Sequence, residues 1–150
     1  MSNKKSRKII KHKHKPRPST HPKIKNNPSD SDSSKVSWRL SDTDRGGNWG
    51  CSLSILDDSK AKEIIRKLRD YDSMTWADLK GRNSHTIPTN KISKEAKDRL
   101  LEIEKDDVDL LFSIRISGKE RLWGVREGSV FNILWWDPEH KVYPCKKKGS

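Results

Sequence analysis

The chain has 150 residues, of which 36% are charged and 30% hydrophobic, and it carries a formal net charge of +12. Residues 1–35 hold 11 Lys/Arg against 2 Asp, whereas residues 36–145 hold 19 Lys/Arg and 19 Asp/Glu, so the basic character belongs to the ends of the chain. No stretch resembles a secretory signal or a membrane span, which predicts a soluble cytoplasmic protein without a membrane partner. Cys51 and Cys145 lack CxxC spacing; free thiols are favoured, and a disulfide stays open.

Composition divides the chain into three parts. Residues 1–35 are rich in Lys, Pro, Ser and Asn and have little to bury, which predicts a disordered basic tail. Such an arm binds RNA or DNA without sequence preference through counterion release, although its basic clusters also resemble nuclear-localisation patches. Residues 36–145 contain all six tryptophans and are predicted to form a single α+β domain. Residues 146–150 form a second, short basic tail.

The first half of the domain is predicted to contain a strand and two or three helices. Residues 35–56 suggest a strand or hairpin with a turn at Gly46-Gly47. Asp57 to Ser59 supply the cap of a helix whose apolar stripe is Ala61, Ile64, Ile65 and Leu68. Thr75 and Asp78 have capping-box spacing before a short helix that stops near Gly81. Residues 81–90 look like a loop, and Ser93 begins a further helix.

From residue 108 onward, the pattern changes to three antiparallel strands in a meander. VDLLFSIRIS alternates apolar and polar side chains and predicts a half-buried strand. RLWGVR predicts the second strand, and Glu127-Gly128 a tight hairpin that needs a glycine at positive φ. SVFNILWW is apolar at nearly every position, so we expect a central strand with Trp135 and Trp136 on opposite faces. Asp137-Pro138 then predicts a turn in which the carboxylate bonds back to the backbone.

The C-terminal third resembles a known family of small proteins. Its ordered motif comprises a strand arginine, a Gly-x-x-Arg turn, an acidic-Gly hairpin, an apolar strand, a histidine corner and a tyrosine, here Arg115, Gly118, Arg121, Glu127-Gly128, ILWW, His140 and Tyr143. This is similar to the RelE/ParE/YoeB family of toxins from toxin–antitoxin pairs. The resemblance implies a RelE-like α+β fold with helices packed on the C-terminal antiparallel meander and an added N-terminal strand.

The resemblance also implies an activity and a set of site residues. Ribosome-associated members of the family cleave messenger RNA by activating a ribose 2′-hydroxyl, which would make this chain an endoribonuclease. The partners implied are RNA or the ribosome and a cognate antitoxin protein. Arg115 and Arg121 would hold phosphate, and His140 or Glu139 would transfer the proton. The nucleic-acid contacts would come from Arg126, Lys119, Tyr143 and Trp136.

Other interpretations of the same residues stay open. Asp137, Glu139 and His140 lie too close together in one turn to form a structural metal site, so we expect neither a metal nor a small-molecule cofactor. Arg115, Arg121 and Arg126 form one patch only if the strand register puts them on one face. A first alternative is a non-catalytic nucleic-acid or ribosome-binding module with a basic arm. A second is a protein-interaction domain that uses exposed tryptophans.

Overall fold

The computed structural model describes residues 32–50, 56–81 and 84–144. The elements in these ranges are the helices α1 (Asp58–Asp72), α2 (Trp76–Lys80) and α3 (Lys94–Glu102), a 3-10 turn (Thr89–Lys91), and the strands β1 (Ser37–Arg39), β2 (His85–Pro88), β3 (Leu110–Arg115), β4 (Arg121–Glu127) and β5 (Val130–Asp137). The strands form one mixed sheet in the order β1-β5-β4-β3-β2. The predicted α+β class and the C-terminal meander are confirmed, and β5 is an interior strand, with β1 and β4 as its neighbours.

The helices begin at the residues that the sequence predicts. The Asp57 carboxylate accepts a hydrogen bond from the Lys60 backbone N–H at 2.8 Å and caps α1. Thr75 and Asp78 form a reciprocal capping box before α2, and the Ser93 hydroxyl caps α3. Each cap satisfies backbone N–H groups that lack a partner within the helix and stabilises it by about 1 kcal/mol.

Two hydrophobic cores lie on opposite sides of the sheet. The side covered by α1 and α2 is called the α1 face, and the side covered by α3 and residues 44–50 the α3 face. The α1-face core is centred on Trp76, which meets the rings of Phe112 and Phe131 at centroid distances of 5.1 and 6.3 Å. Aromatic pairs of this kind contribute about 0.5–1.5 kcal/mol each beyond the area they bury. The α3-face core consists of Trp49, Ile92, Ala96, Leu100, Leu111, Trp123, Leu134, Trp135 and Val142.

A β-bulge in β5 decides which tryptophan enters which core. Trp123 pairs with Trp135 and Gly124 with Ile133, so Leu134 is an extra residue without an opposite partner. Leu134 and Trp135 consequently both point to the α3 face, and Trp136 belongs to the α1-face core. The predicted division of the two tryptophans between opposite faces is confirmed.

The N-terminal boundary of the folded part differs from the predicted one. The Ser34 carbonyl accepts from the Trp76 backbone N–H at 3.1 Å, and the Asp32 carbonyl accepts from the Ala77 N–H at 2.9 Å. Residues 32–35, which were predicted to belong to the tail, are therefore bound to α2. Residues 1–31 and the C-terminal tail 146–150 lie outside the described residues, as does the Cys51–Ile55 stretch of the predicted hairpin.

Three local predictions were wrong. Residues 81–90 were predicted as a loop, but His85–Pro88 form β2 on the edge of the sheet. The predicted half-buried β3 is covered on both faces, since Leu111 and Ser113 are buried as well as Phe112. Ile65 is 53% exposed rather than part of the apolar stripe of α1. Among the helices in the described ranges, none is both long and apolar enough to cross a membrane.

Candidate nucleic-acid interface

Two of the predicted phosphate-binding arginines lie directly opposite each other. Arg115 at the end of β3 pairs in register with Arg121 at the start of β4. Strand alternation puts both side chains on the α3 face, because Leu111 of β3 and Trp123 of β4 belong to the core on that side. Both arginines are partly exposed. Like charges directly opposite each other destabilise a sheet, so the pairing of Arg115 with Arg121 brings two cations together without adding to stability.

The turn between β3 and β4 adds a lysine to the pair. Gly118 has φ of +49°, and the exposed Lys119 follows it at the tip of the turn. The Arg121 guanidinium donates from Nη1 to the carbonyls of Gly118 at 2.8 Å and Glu120 at 3.0 Å, which closes the turn. Arg121 consequently has a structural role in the turn in addition to its position beside Arg115.

The Asp137-Pro138 corner is a turn, as predicted, and its carboxylate holds it together. Asp137 is fully buried, and its two oxygens accept from the backbone N–H groups of Lys141 and Val142, both at 2.9 Å. The Trp123 indole donates to the same carboxylate at 3.2 Å. Because these three donors occupy both oxygens, Asp137 builds the corner and is unsuited to contact a ligand. The predicted back-bonding of Asp137 is confirmed.

His140 lies at the exposed side of this corner, with a left-handed backbone. Its φ is +60°, a conformation that histidine adopts more readily than most residues, and its side chain is partly exposed. Asp137 is the register partner of Arg121, so the corner starts where the arginine pair ends. Lys119 lies near enough to lower the pKa of Glu139, which links the β3–β4 turn to the corner. We call Arg115, Lys119, Arg121 and His140 the basic end of the sheet.

Glu139, the other candidate for proton transfer, is engaged elsewhere. Its carboxylate pairs with Lys141 at 2.7 Å, and the hydrogen bond from Lys141 lowers the pKa of Glu139 below its ordinary value. A carboxylate with a lowered pKa is a weaker base. Of the two candidates at this corner, Glu139 is therefore the less suited to accept a proton.

Two other residues that were predicted to contact nucleic acid, Arg126 and Trp136, lie on the opposite face from the basic end. Arg126 lies on the α1 face, where its guanidinium is 4.1 Å from the Trp76 ring centroid and 2.7 Å from the Asp32 carboxylate. Trp136 is 8% exposed and packs in the α1-face core. Tyr143 is partly buried against the α3-face core. Arg126 faces the opposite side of the sheet, so of the three arginines only Arg115 and Arg121 share a face.

A second polar cluster, which no motif in the sequence indicates, lies on the α3 face. The buried Asp44 carboxylate accepts two hydrogen bonds from Arg99, at 2.7 and 2.6 Å, and one from the Trp135 indole at 2.9 Å. Although burial opposes ionisation of Asp44, the bonds from Arg99, Gly46 and Trp135 outweigh it and hold the pKa below its ordinary value. Asp44 and Arg99 are 55 positions apart, and no local motif joins them. Their contacts connect α3 to β5 and are structural.

A cleft of about 530 Å³ lies beside this cluster, lined by Gly47, Asn48, Trp49, Lys94, Glu95, Asp98, Arg99 and Glu102. Its charged residues are largely paired, with Lys94 on Asp98 and Arg99 on Glu102. In the described ranges, no group of three or more His, Cys, Asp or Glu side chains could hold a metal ion. The cleft thus lacks the convergent cations that a phosphate ligand requires, in contrast to the basic end.

Comparison with known proteins assigns no relative to this chain. No family model, curated protein or solved structure matches it. Function is therefore argued from the side chains at the basic end, since a fold by itself does not determine an activity.

Proposed function

We propose that this protein binds RNA at the basic end of its sheet and acts on it as a RelE-like toxin. The observation that carries the proposal is the register pairing of Arg115 with Arg121 on one face. Two guanidinium groups on adjacent strands offer forked donors to the oxygens of one phosphate or of two consecutive phosphates. Lys119 adds a third positive charge in the adjoining turn.

The proposed reaction is internal transesterification of the RNA strand. His140 accepts the proton of a ribose 2′-hydroxyl, and the 2′-oxygen attacks the adjacent phosphorus as the bond to the 5′-oxygen breaks. The leaving 5′-oxygen takes up a proton from solvent and His140 returns its proton to solvent, so the products are a 2′,3′-cyclic phosphate and a 5′-hydroxyl. Arg115 and Arg121 would stabilise the charge that develops on the phosphate oxygens. The cognate antitoxin and the ribosome remain proposed partners of this activity.

The decisive experiment separates binding from cleavage with two variants. His140→Asn removes the titratable ring but tolerates the left-handed backbone, so the corner keeps its shape. Arg115→Gln removes one guanidinium that has no ion pair or side-chain hydrogen bond among the described residues. Lys97→Gln, an exposed change on α3, is the control of equal charge.

We expect regulated expression of the wild type in a bacterial host to arrest growth and cleave messenger RNA. His140→Asn should abolish cleavage while leaving the affinity for RNA unchanged. Arg115→Gln should weaken RNA binding by about tenfold, the loss of one charge-assisted hydrogen-bonded contact. Lys97→Gln should behave as the wild type. A harmless wild type that leaves RNA intact would refute the toxin activity.

A non-catalytic RNA-binding module is the second candidate. It is favoured by the engagement of both carboxylates of the corner, since Asp137 bonds to the backbone and Glu139 pairs with Lys141. This candidate predicts RNA binding that depends on Arg115 and on residues 1–31 but not on His140. The deletion should stop at residue 31, because residues 32–35 hydrogen-bond α2.

The third reading, a protein interface made by exposed tryptophans, is not supported. Five of the six tryptophans are buried, and the sixth, Trp38, is partly buried and packs edge-on against Phe131 at 5.7 Å. Tryptophans in these positions stabilise the two cores and offer little surface to a partner.

A further inference from the structure

The solvent-facing side of α1 carries a row of cations that the fold does not use. Lys62, Arg66 and Arg69 are exposed and follow one another at helical spacing, on the side away from Ile64 and Leu68. None of the three forms an ion pair within the described residues, although Asp58 and Asp70 stand four positions away on the same helix. The cations that pack α1 onto the sheet are different ones, such as Lys60.

The position of α1 brings this row to the basic end of the sheet. Near its start, Lys60 pairs with Glu120 of the β3–β4 turn at 2.7 Å. Near its end, the Tyr71 hydroxyl donates to the Arg115 backbone carbonyl at 2.9 Å. Helix α1 therefore crosses the same end of the sheet as Arg115 and Lys119, on the other face. Its outer row therefore lies at the same end of the domain as Arg115 and Lys119, on the opposite face of the sheet.

We propose that the outer side of α1, through Lys62, Arg66 and Arg69, is a second contact for the backbone of the RNA strand bound at the basic end. This inference rests on the proposed function and extends it by assigning the path of the strand. From Lys62 to Arg69 the helix rises about 10 Å, which matches about three phosphates of one strand. A polyanion fits the row better than a single anion because the three cations point outward in line and do not converge.

The test measures the salt dependence of RNA binding by the full chain. Each phosphate neutralised on a single strand contributes about 0.7 to the slope of log affinity against log salt concentration. The triple variant Lys62→Gln, Arg66→Gln, Arg69→Gln should reduce the magnitude of that slope by about 2 with a 20-nucleotide RNA. With a 4-nucleotide RNA, which covers only the basic end, wild type and triple variant should have equal affinity. Glutamine is a good helix former, so α1 stays intact.

A triple variant with the same net charge provides the control. Arg45→Gln, Lys91→Gln and Lys97→Gln change exposed residues on the side of α3. If both triples lower the slope equally, the effect is one of net charge and the α1 contact is refuted. If neither changes RNA binding but the α1 triple alone loses binding to polyglutamate, the row serves an acidic protein, which also overturns the inference. If Arg115→Gln loses RNA binding while the α1 triple variant binds RNA as the wild type does, the α1 contact is refuted and the proposed function stands. If the wild type binds no RNA, the α1 contact and the proposed function are both refuted.

Discussion

Replacement of Asp44 tests whether one buried carboxylate holds α3 and residues 44–50 against the sheet. Asp44 is 6% exposed and accepts two hydrogen bonds from Arg99, one from Trp135 and one from the Gly46 backbone N–H. Asp44→Ala removes all four acceptor contacts at once. Since Trp135 is fully buried, water cannot replace the lost acceptor without a rearrangement of the core.

The expected loss follows from the exposure of each donor. An unpaired buried indole N–H costs about 1–3 kcal/mol. The Arg99 side chain is 22% exposed, so solvent compensates part of its lost ion pair, and we assign that pair about 1 kcal/mol. The free energy of unfolding should therefore fall by about 3 kcal/mol, which lowers the melting temperature by about 12 °C for a domain of this size.

Urea denaturation followed by tryptophan fluorescence measures this loss, with Asp98→Ala as the matched control. Asp98 also pairs with a cation of α3, but its partner Lys94 is 90% exposed, so its removal should cost less than about 0.5 kcal/mol. A loss below about 1 kcal/mol for Asp44→Ala would refute the assignment of a stabilising role to this carboxylate.

The same variant has a predicted pH dependence. Because the pKa of Asp44 is lowered in the folded protein, its ionised form stabilises the fold above the unfolded value of about 3.9. That contribution is lost as the pH falls through the lowered folded pKa. The difference in unfolding free energy between wild type and Asp44→Ala should be constant from about pH 7 to pH 5 and should shrink below about pH 4. A constant difference down to about pH 2 would contradict the ionised pair.

Three further variants test the strands and the corner. Gly124→Ala should lower the free energy of unfolding by more than about 2 kcal/mol, because its Cβ would lie 2.2 Å from the Asn132 carbonyl oxygen. Gly118→Ala, at positive φ but in open space, should cost about 1 kcal/mol in the same urea titration; equal losses would contradict the close approach at Gly124. Asp137→Asn places an amide N–H₂ where an oxygen now accepts a backbone N–H, so the Lys141 and Val142 amides should exchange hydrogen at least tenfold faster, measured by NMR. Unchanged exchange would mean that the corner is held by other contacts.

Much of the fold could be predicted because its signals are local. Helix caps at Asp57, Thr75 and Ser93 depend on side chains within three residues of the backbone they bond. The opposite orientation of Trp135 and Trp136 follows from strand alternation alone. By contrast, β2 is four residues long and ends in Pro88, so it has too little periodicity to be distinguished from a loop.

The candidate site could be predicted only in part, because it depends on contacts between residues that are distant in the sequence. That Arg115 faces Arg121 is fixed by the length of the turn between β3 and β4, which composition does not determine. By contrast, the sequence alone could have predicted that Arg126 and Arg121 lie on opposite faces. Arg126 follows Arg121 by five positions in one strand, and an odd separation puts two side chains on opposite faces. The Asp44–Arg99 pair joins residues 55 positions apart, and only the tertiary structure reveals it.

The position of β5 between β1 and β4 has a consequence for how the chain folds as it is synthesised. β1 is among the first described elements to be made, yet it pairs only with β5, through Ser37–Val130, Trp38–Phe131 and Arg39–Asn132. Until β5 has left the ribosome, β1 has no strand to pair with, and Trp76 lacks its contact with Phe131. Because this pairing joins distant parts of the chain, it predicts slow folding.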